Sequence, residues 1–138
     1  MPPLKKISLL YPILINRLVM IYPCTVTSLM KEEYLNSINT FIEAIKNEEF
    51  VEGHEVLEDE WRKLKNNPDT LEESKILKGL INGSTALALK NLGKEKGAYI
   101  VWATFEKYRP LIKSEICENS EKYKNAEKLL DEKYNLYM

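Results

Sequence analysis

His54 is the single histidine in the chain. It sits in the stretch Phe50-Val51-Glu52-Gly53-His54-Glu55-Val56-Leu57-Glu58-Asp59-Glu60-Trp61. A metalloprotease helix uses His-Glu-x-x-His because residues four apart face one metal while the glutamate acts as base. Here the second histidine is replaced by Glu58, so a zinc site with two or three histidines cannot form within one subunit. His54 and Glu58 still qualify as two ligands of a nitrogen-oxygen site for a divalent metal, completed by a carboxylate from another helix or a second subunit. The bridged di-iron pattern fails, because Val51 stands where that motif places Glu.

The same pair has an acid/base reading, since histidine titrates near neutrality and a carboxylate one turn away orients it. No nucleophile accompanies them by motif. Ser84, Thr85 and Cys117 remain by elimination, and a glycine-rich phosphate loop is absent. A structural reading competes: a buried imidazole costs a few kcal/mol unless hydrogen-bonded, and Glu58 or a carbonyl of the next helix meets that need while Trp61 covers the pair. Gly53, Trp61, Gly79 and Gly83 are the residues expected to line the space around His54.

These side chains need helices to position them, and the apolar spacing supplies a succession. The first helix starts at Thr27 or Ser28 and carries Tyr34, Ile38, Phe41, Ile42 and Ile45 at spacings of three and four. The second runs from Phe50 to about Asn66, with Phe50, His54, Leu57, Trp61 and Leu64 in one stripe, which predicts that His54 points into the core. Glu58 falls on the flank of that stripe. Asn66-Asn67-Pro68-Asp69 is a turn.

The third helix, Leu71 to Asn91, is apolar over a wide arc and therefore central. Gly79 and Gly83, one turn apart, each cost about 1 kcal/mol against alanine, a cost that close approach of another backbone or of a ligand offsets. Asn91-Leu92-Gly93 caps it, and a fourth helix from Lys94 to Tyr108 presents Ala98, Val101, Trp102, Phe105 and Tyr108. Pro110 ends or kinks that helix. A last amphipathic segment from Ser120 aligns Tyr123, Ala126, Leu130, Tyr134 and Tyr137.

A chain of 138 residues, 44% hydrophobic and 30% charged, buries one core rather than two. The net charge of −1 offers no field for nucleic acid. Lysines interleave with glutamates along each helix, and the one local basic group, Lys90, Lys94 and Lys96, includes Glu95. Cys24 and Cys117 are too sparse for a disulfide framework, which fits a reducing cytoplasm.

Residues 1–29 form an N-terminal extension in which Ile7 to Ile21 is strongly apolar behind Lys5-Lys6. Pro12, Asn16 and Arg17 interrupt its run, which falls short of the roughly 20 apolar residues of a spanning helix. A start at Met20 or Met30, with the head outside the domain, is the preferred reading over a membrane anchor.

The Phe50–Trp61 stretch, followed by Leu77-Lys78-Gly79-Leu80-Ile81 and Gly97-Ala98, resembles the prokaryotic domain-of-unknown-function family 309, across Tyr34 to Ile112. Its pattern is a phenylalanine, an acid, a small residue, His-Glu-x-x-Glu and then Trp, ahead of a Gly-Leu-Ile helix. Gly53, where relatives often have alanine, and the polar Asn82-Gly83-Ser84 depart from that pattern. The resemblance implies a compact bundle of antiparallel helices without an assigned activity, cofactor or partner.

The expectation is an all-α bundle of four to five antiparallel helices over residues 30–138. Its expected role is a cytoplasmic protein-binding or structural module, self-association included, with no nucleic-acid partner and no membrane contact unless residues 1–29 anchor it. A metal-assisted or acid/base enzyme centred on His54 and Glu58 is the alternative, and no cofactor is expected beyond that divalent metal.

Overall fold

A computed structural model describes residues 28–114 and 119–137. Residues 1–27 of the apolar head and both cysteines lie outside these residues. The helices are α1 (Ser28–Lys46), α2 (Phe50–Lys65), α3 (Leu71–Asn91), α4 (Glu95–Tyr108), the short α5 (Pro110–Ser114) and α6 (Ser120–Tyr137), with a 3-10 turn at Pro68–Thr70 before α3. No strand occurs among the described residues, and the architecture is an all-α bundle. Among the described residues no helix is long and apolar enough to cross a membrane.

The breaks between helices follow from local chemistry. Asn67 caps the 3-10 turn by accepting from the Asp69 N–H at 2.9 Å, and Pro68 enters where no amide donor is needed. Gly93 adopts φ +78°, which lets the Lys94 N–H reach back to the Leu89 carbonyl at 2.9 Å and closes α3. Pro110 does end α4, and then serves as the first residue of α5, where its missing N–H costs nothing.

Pairing is antiparallel between successive long helices, as partner numbers show. Moving up α1 from Glu33 to Ser37, contacts move down α2 from Lys63 to Glu60. Moving up α3 from Gly79 to Gly83, they move down α4 from Tyr108 to Phe105. Helix α6 runs parallel to α1 and α3, since Glu73 meets Tyr123 and Gly83 meets Leu130. Helix α3 is central, touching α2, α4 and α6, and its wide buried arc runs from Glu73 to Leu87.

The core is built from the expected stripes. Tyr34, Ile38, Phe41 and Ile45 of α1, Ala98, Trp102 and Phe105 of α4, and Tyr123, Ala126 and Leu130 of α6 are all buried. Each large side chain so placed contributes about 1.5–3 kcal/mol. Trp102 stacks on Tyr134 at 4.2 Å and meets Phe105 edge-on at 4.7 Å, which joins α4 to the end of α6.

One stripe differs from its expectation. The buried line of α2 is Phe50, Gly53, Leu57, Glu60 and Leu64, so His54 and Trp61 lie to one side of it, half-buried. Counting apolar residues credits neither a glycine at a seam nor a carboxylate buried beside a serine. Gly53 faces Phe41, Ile45 and Ser84, and Glu60 accepts from the Ser37 hydroxyl at 3.0 Å. These two contacts rotate the helix, and the imidazole moves from core to flank.

A second polar group is buried at the joint of α1, α3 and α6. The Tyr123 hydroxyl donates to Glu73 Oε1 and pairs with the Tyr34 hydroxyl, while Asn119 Nδ2 donates to the same carboxylate oxygen at 3.2 Å. Burial first, and then the Glu73 carboxylate, push the Tyr34 phenol well above its ordinary range. Burial, then Tyr34 and Glu73, do the same to Tyr123.

A raised phenol pKa means that the fold favours the neutral form. The resulting stabilisation is complete below the unfolded value of about 10 and is lost as pH rises above it, because the unfolded chain ionises first. In an alkaline titration followed by ultraviolet absorbance, two of the eight tyrosines should ionise only as the helical signal collapses. Tyr34→Phe with Tyr123→Phe should abolish that late phase; an unchanged late phase would refute the assignment.

The glycines supply a paired test. A Cβ on Gly79 would stand 3.1 Å from Cβ of Tyr108, an atom that moves only with its backbone, whereas at Gly97 the nearest atom is a Leu89 methyl at 3.7 Å. Denaturant unfolding of Gly79→Ala should show a loss of about 1–3 kcal/mol, and Gly97→Ala a gain of up to about 1 kcal/mol. Equal effects at the two positions would contradict the packing described.

Candidate functional site

His54, Glu58 and Trp61 follow one another along a single flank of α2, at the spacing of one helical turn. Opposite them on α3 stand Lys78, Ile81, Asn82 and Thr85, and the two sets enclose a recess of about 250 Å³. The His54 and Glu58 side chains are 32% and 33% exposed, so both reach solvent while their stems stay in the wall. Among the described residues no hydrogen bond joins the α2 side chains of this recess to those of α3.

Local bonds decide what each group presents. His54 Nε2 lies 4.0 Å from Glu58 Oε2, beyond hydrogen-bond range, so the carboxylate does not fix the ring directly. Glu58 Oε1 is 3.4 Å from the Arg62 guanidinium. Asn82 Nδ2 donates to the Lys78 carbonyl at 2.7 Å, which turns its amide oxygen away from the helix backbone. The Thr85 hydroxyl gives its proton to the Ile81 carbonyl at 2.9 Å and keeps its lone pairs. Lys65 Nζ stands 4.3 Å from the centre of the Trp61 ring.

Of the residues considered as nucleophiles, Ser84 and Thr85 are occupied otherwise. Ser84 is fully buried and donates to the Phe50 carbonyl at 2.5 Å, which ties α3 to the start of α2. Thr85 is committed to Ile81, and Cys117 lies outside the described residues. For a metal, the recess offers His54 and Glu58 together, but its other walls are Trp61, Lys78, Ile81, Asn82 and Thr85, which bring no third carboxylate, imidazole or thiolate. Among the described residues no three such side chains converge.

Of the residues expected to line this space, Trp61 does so. Gly53, Gly79 and Gly83 are not among the lining residues; they pack against other helices, Gly53 on α1 and Ser84, Gly79 on Tyr108, and Gly83 on Leu130 and Phe105. The physical reason is that a missing Cβ shortens the distance between helices at the very point where it occurs. Lys78, Ile81, Asn82 and Thr85, which share a face of α3 at i, i+3, i+4 and i+7, complete the lining; of these the sequence marks Asn82 as a polar departure and Thr85 as a nucleophile by elimination, and gives Lys78 no role.

A larger open groove of about 620 Å³ lies between α1 and α2, lined by Glu32, Glu33, Asp59, Glu60 and Lys63 among others. Its one lysine is shared between two of its carboxylates. Lys63 bonds Glu33, which holds that carboxyl below its ordinary range, and lies 3.4 Å from Glu60. Of the local basic group, Lys90 is bonded to Glu95 at 2.7 Å.

Comparison with known proteins matches residues 38–101 to the family model described as a domain of unknown function, DUF309. That span runs from within α1 into α4 and contains every residue that lines the recess. No curated protein and no solved structure gives a match to the chain. Residues 38–101, which carry the α2–α3 recess, are thus similar to the DUF309 domains of unknown function.

Proposed function

We propose that this domain is a protein-binding module and that the His54–Glu58–Trp61 recess receives one side chain of its partner. The observation that carries this reading is the recess itself, two helical walls whose polar groups face each other without bonding across. Its volume of about 250 Å³ is below the roughly 300–1,000 Å³ of small-molecule and cofactor pockets and suits a single side chain. Buried aromatic anchors surrounded by a few directed polar groups are the usual make-up of such contacts. The sparse cysteines support a cytoplasmic setting.

A second reading, acid/base or metal-assisted chemistry at His54 and Glu58, draws on the half-exposed imidazole beside a carboxylate. For Glu58 to orient the ring as an acid/base pair, the 4.0 Å gap has to close to hydrogen-bond distance. A receptor recess requires no such movement.

Two measurements test the binding reading. His54→Ala should change unfolding free energy by less than about 1 kcal/mol, since the ring is half-exposed and bonds no partner across the seam. A loss of several kcal/mol would return His54 to a structural role. In an NMR titration of the full chain with N-acetyl amino-acid amides of charged, polar, aromatic and aliphatic types, at least one type should shift the signals of His54, Trp61, Asn82 and Thr85 saturably. Shifts confined to other surfaces, or none, would overturn the proposal.

A further inference from the structure

We infer that the side chain received by the recess is an arginine of a partner protein, its guanidinium entering between Glu58 and the Asn82–Thr85 wall; this rests on reading the recess as a binding site. The recess is rich in acceptors. Glu58 Oε2, the Asn82 amide oxygen and the Thr85 lone pairs all remain after the local bonds of α2 and α3 are made. They come from both walls, so a donor fork with several N–H groups meets them better than a single donor does.

Both groups that attract a cation are already served by cations of their own helix. Arg62, 57% exposed, lies 3.4 Å from Glu58, and Lys65 lies 4.3 Å from the centre of the Trp61 ring. Each substitute stands one turn further along α2 and reaches back from the solvent side. Exposed ion pairs and exposed cation–ring contacts are individually weak, so an incoming cation displaces them at small cost. The chain thus shows, with its own side chains, which chemistry these two groups select.

The remaining cation of the lining, Lys78, does not fill the space. Its ammonium reaches toward α4, 5.9 Å from the centre of the Tyr108 ring. Planarity favours guanidinium over ammonium, because a flat delocalised cation stacks on the indole while its edge donates to the carboxylate. The carboxylate pairs through Oε2, while Oε1 stays with Arg62 or is released by it.

The test extends the NMR titration to four probes: the N-acetyl amides of arginine, of its neutral isostere citrulline, of lysine and of glutamate. Only the arginine probe should shift the Trp61 indole N–H and the Asn82 side-chain amide saturably. Glu58→Gln should weaken its binding about tenfold, the loss of one charge-assisted bond. Glu55→Gln removes the same charge from an exposed position of α2 and should leave binding unchanged. Arg62→Ala, which deletes the competing cation, should tighten binding by up to about fivefold.

Binding of the citrulline, lysine or glutamate probe at equal or greater strength would overturn the guanidinium assignment while leaving the recess a binding site. Equal weakening by Glu55→Gln and Glu58→Gln would reduce the effect to general charge and also overturn it. Failure of every probe to perturb the recess would overturn both readings together.

Discussion

The recess exists because α2 and α3 are held side by side at both ends by hydroxyls that reach main-chain carbonyls. Ser84 donates to the carbonyl of Phe50 at the start of α2, and Thr70 donates to that of Leu64 near its end at 2.7 Å. Between these two points Gly53 brings the helix against Ser84 and against Phe41 and Ile45 of α1. The seam is therefore tight on its inner side. Half-exposed side chains on the outer side are left to diverge around open space, and the depth of the recess follows from where the tight contact lies.

Helix α3 transmits this constraint to the rest of the bundle. Gly79 and Gly83 let α4 and α6 approach closely, and Glu73 at its beginning is shared by tyrosines of α1 and α6. A buried carboxylate is costly unless several donors surround it, and here two phenols and an asparagine amide converge on one oxygen. Three helices are thereby fixed in register at one end of the bundle. The wall carrying Lys78, Asn82 and Thr85 belongs to the helix that this cluster anchors.

Two ion-pair clusters outside the recess tie helices together. Arg109, at the end of α4, bonds Glu127 at 2.8 Å and Glu106 at 3.1 Å and also pairs with Asp131, while its plane lies over Phe105. Glu48 pairs with Lys133 at 2.9 Å and with the Tyr137 hydroxyl, tying the last helix to the α1–α2 turn. The His54 recess differs in that its polar groups bond within their own helices and no hydrogen bond joins the side chains of its two walls.

Much of this was legible from residue order alone. Stripes such as Tyr34-Ile38-Phe41-Ile45 and Ala98-Trp102-Phe105 have a period that only a helix with one buried face satisfies, and Pro68, Gly93 and Pro110 break the chain for reasons internal to their own backbones. The grouping of His54, Glu58 and Trp61 on one flank was likewise fixed by helical geometry. Which way that flank turned was not: it depended on Gly53 meeting α1 and on Glu60 being buried with Ser37, contacts between residues 8 to 23 positions apart. The opposite wall and the knot of Tyr34, Glu73, Tyr123 and Asn119 belong to the same class. The wall residues share one face of α3, but nothing local turns that face toward α2, and the knot joins residues from distant parts of the chain, so only the packing of whole helices decided which groups meet.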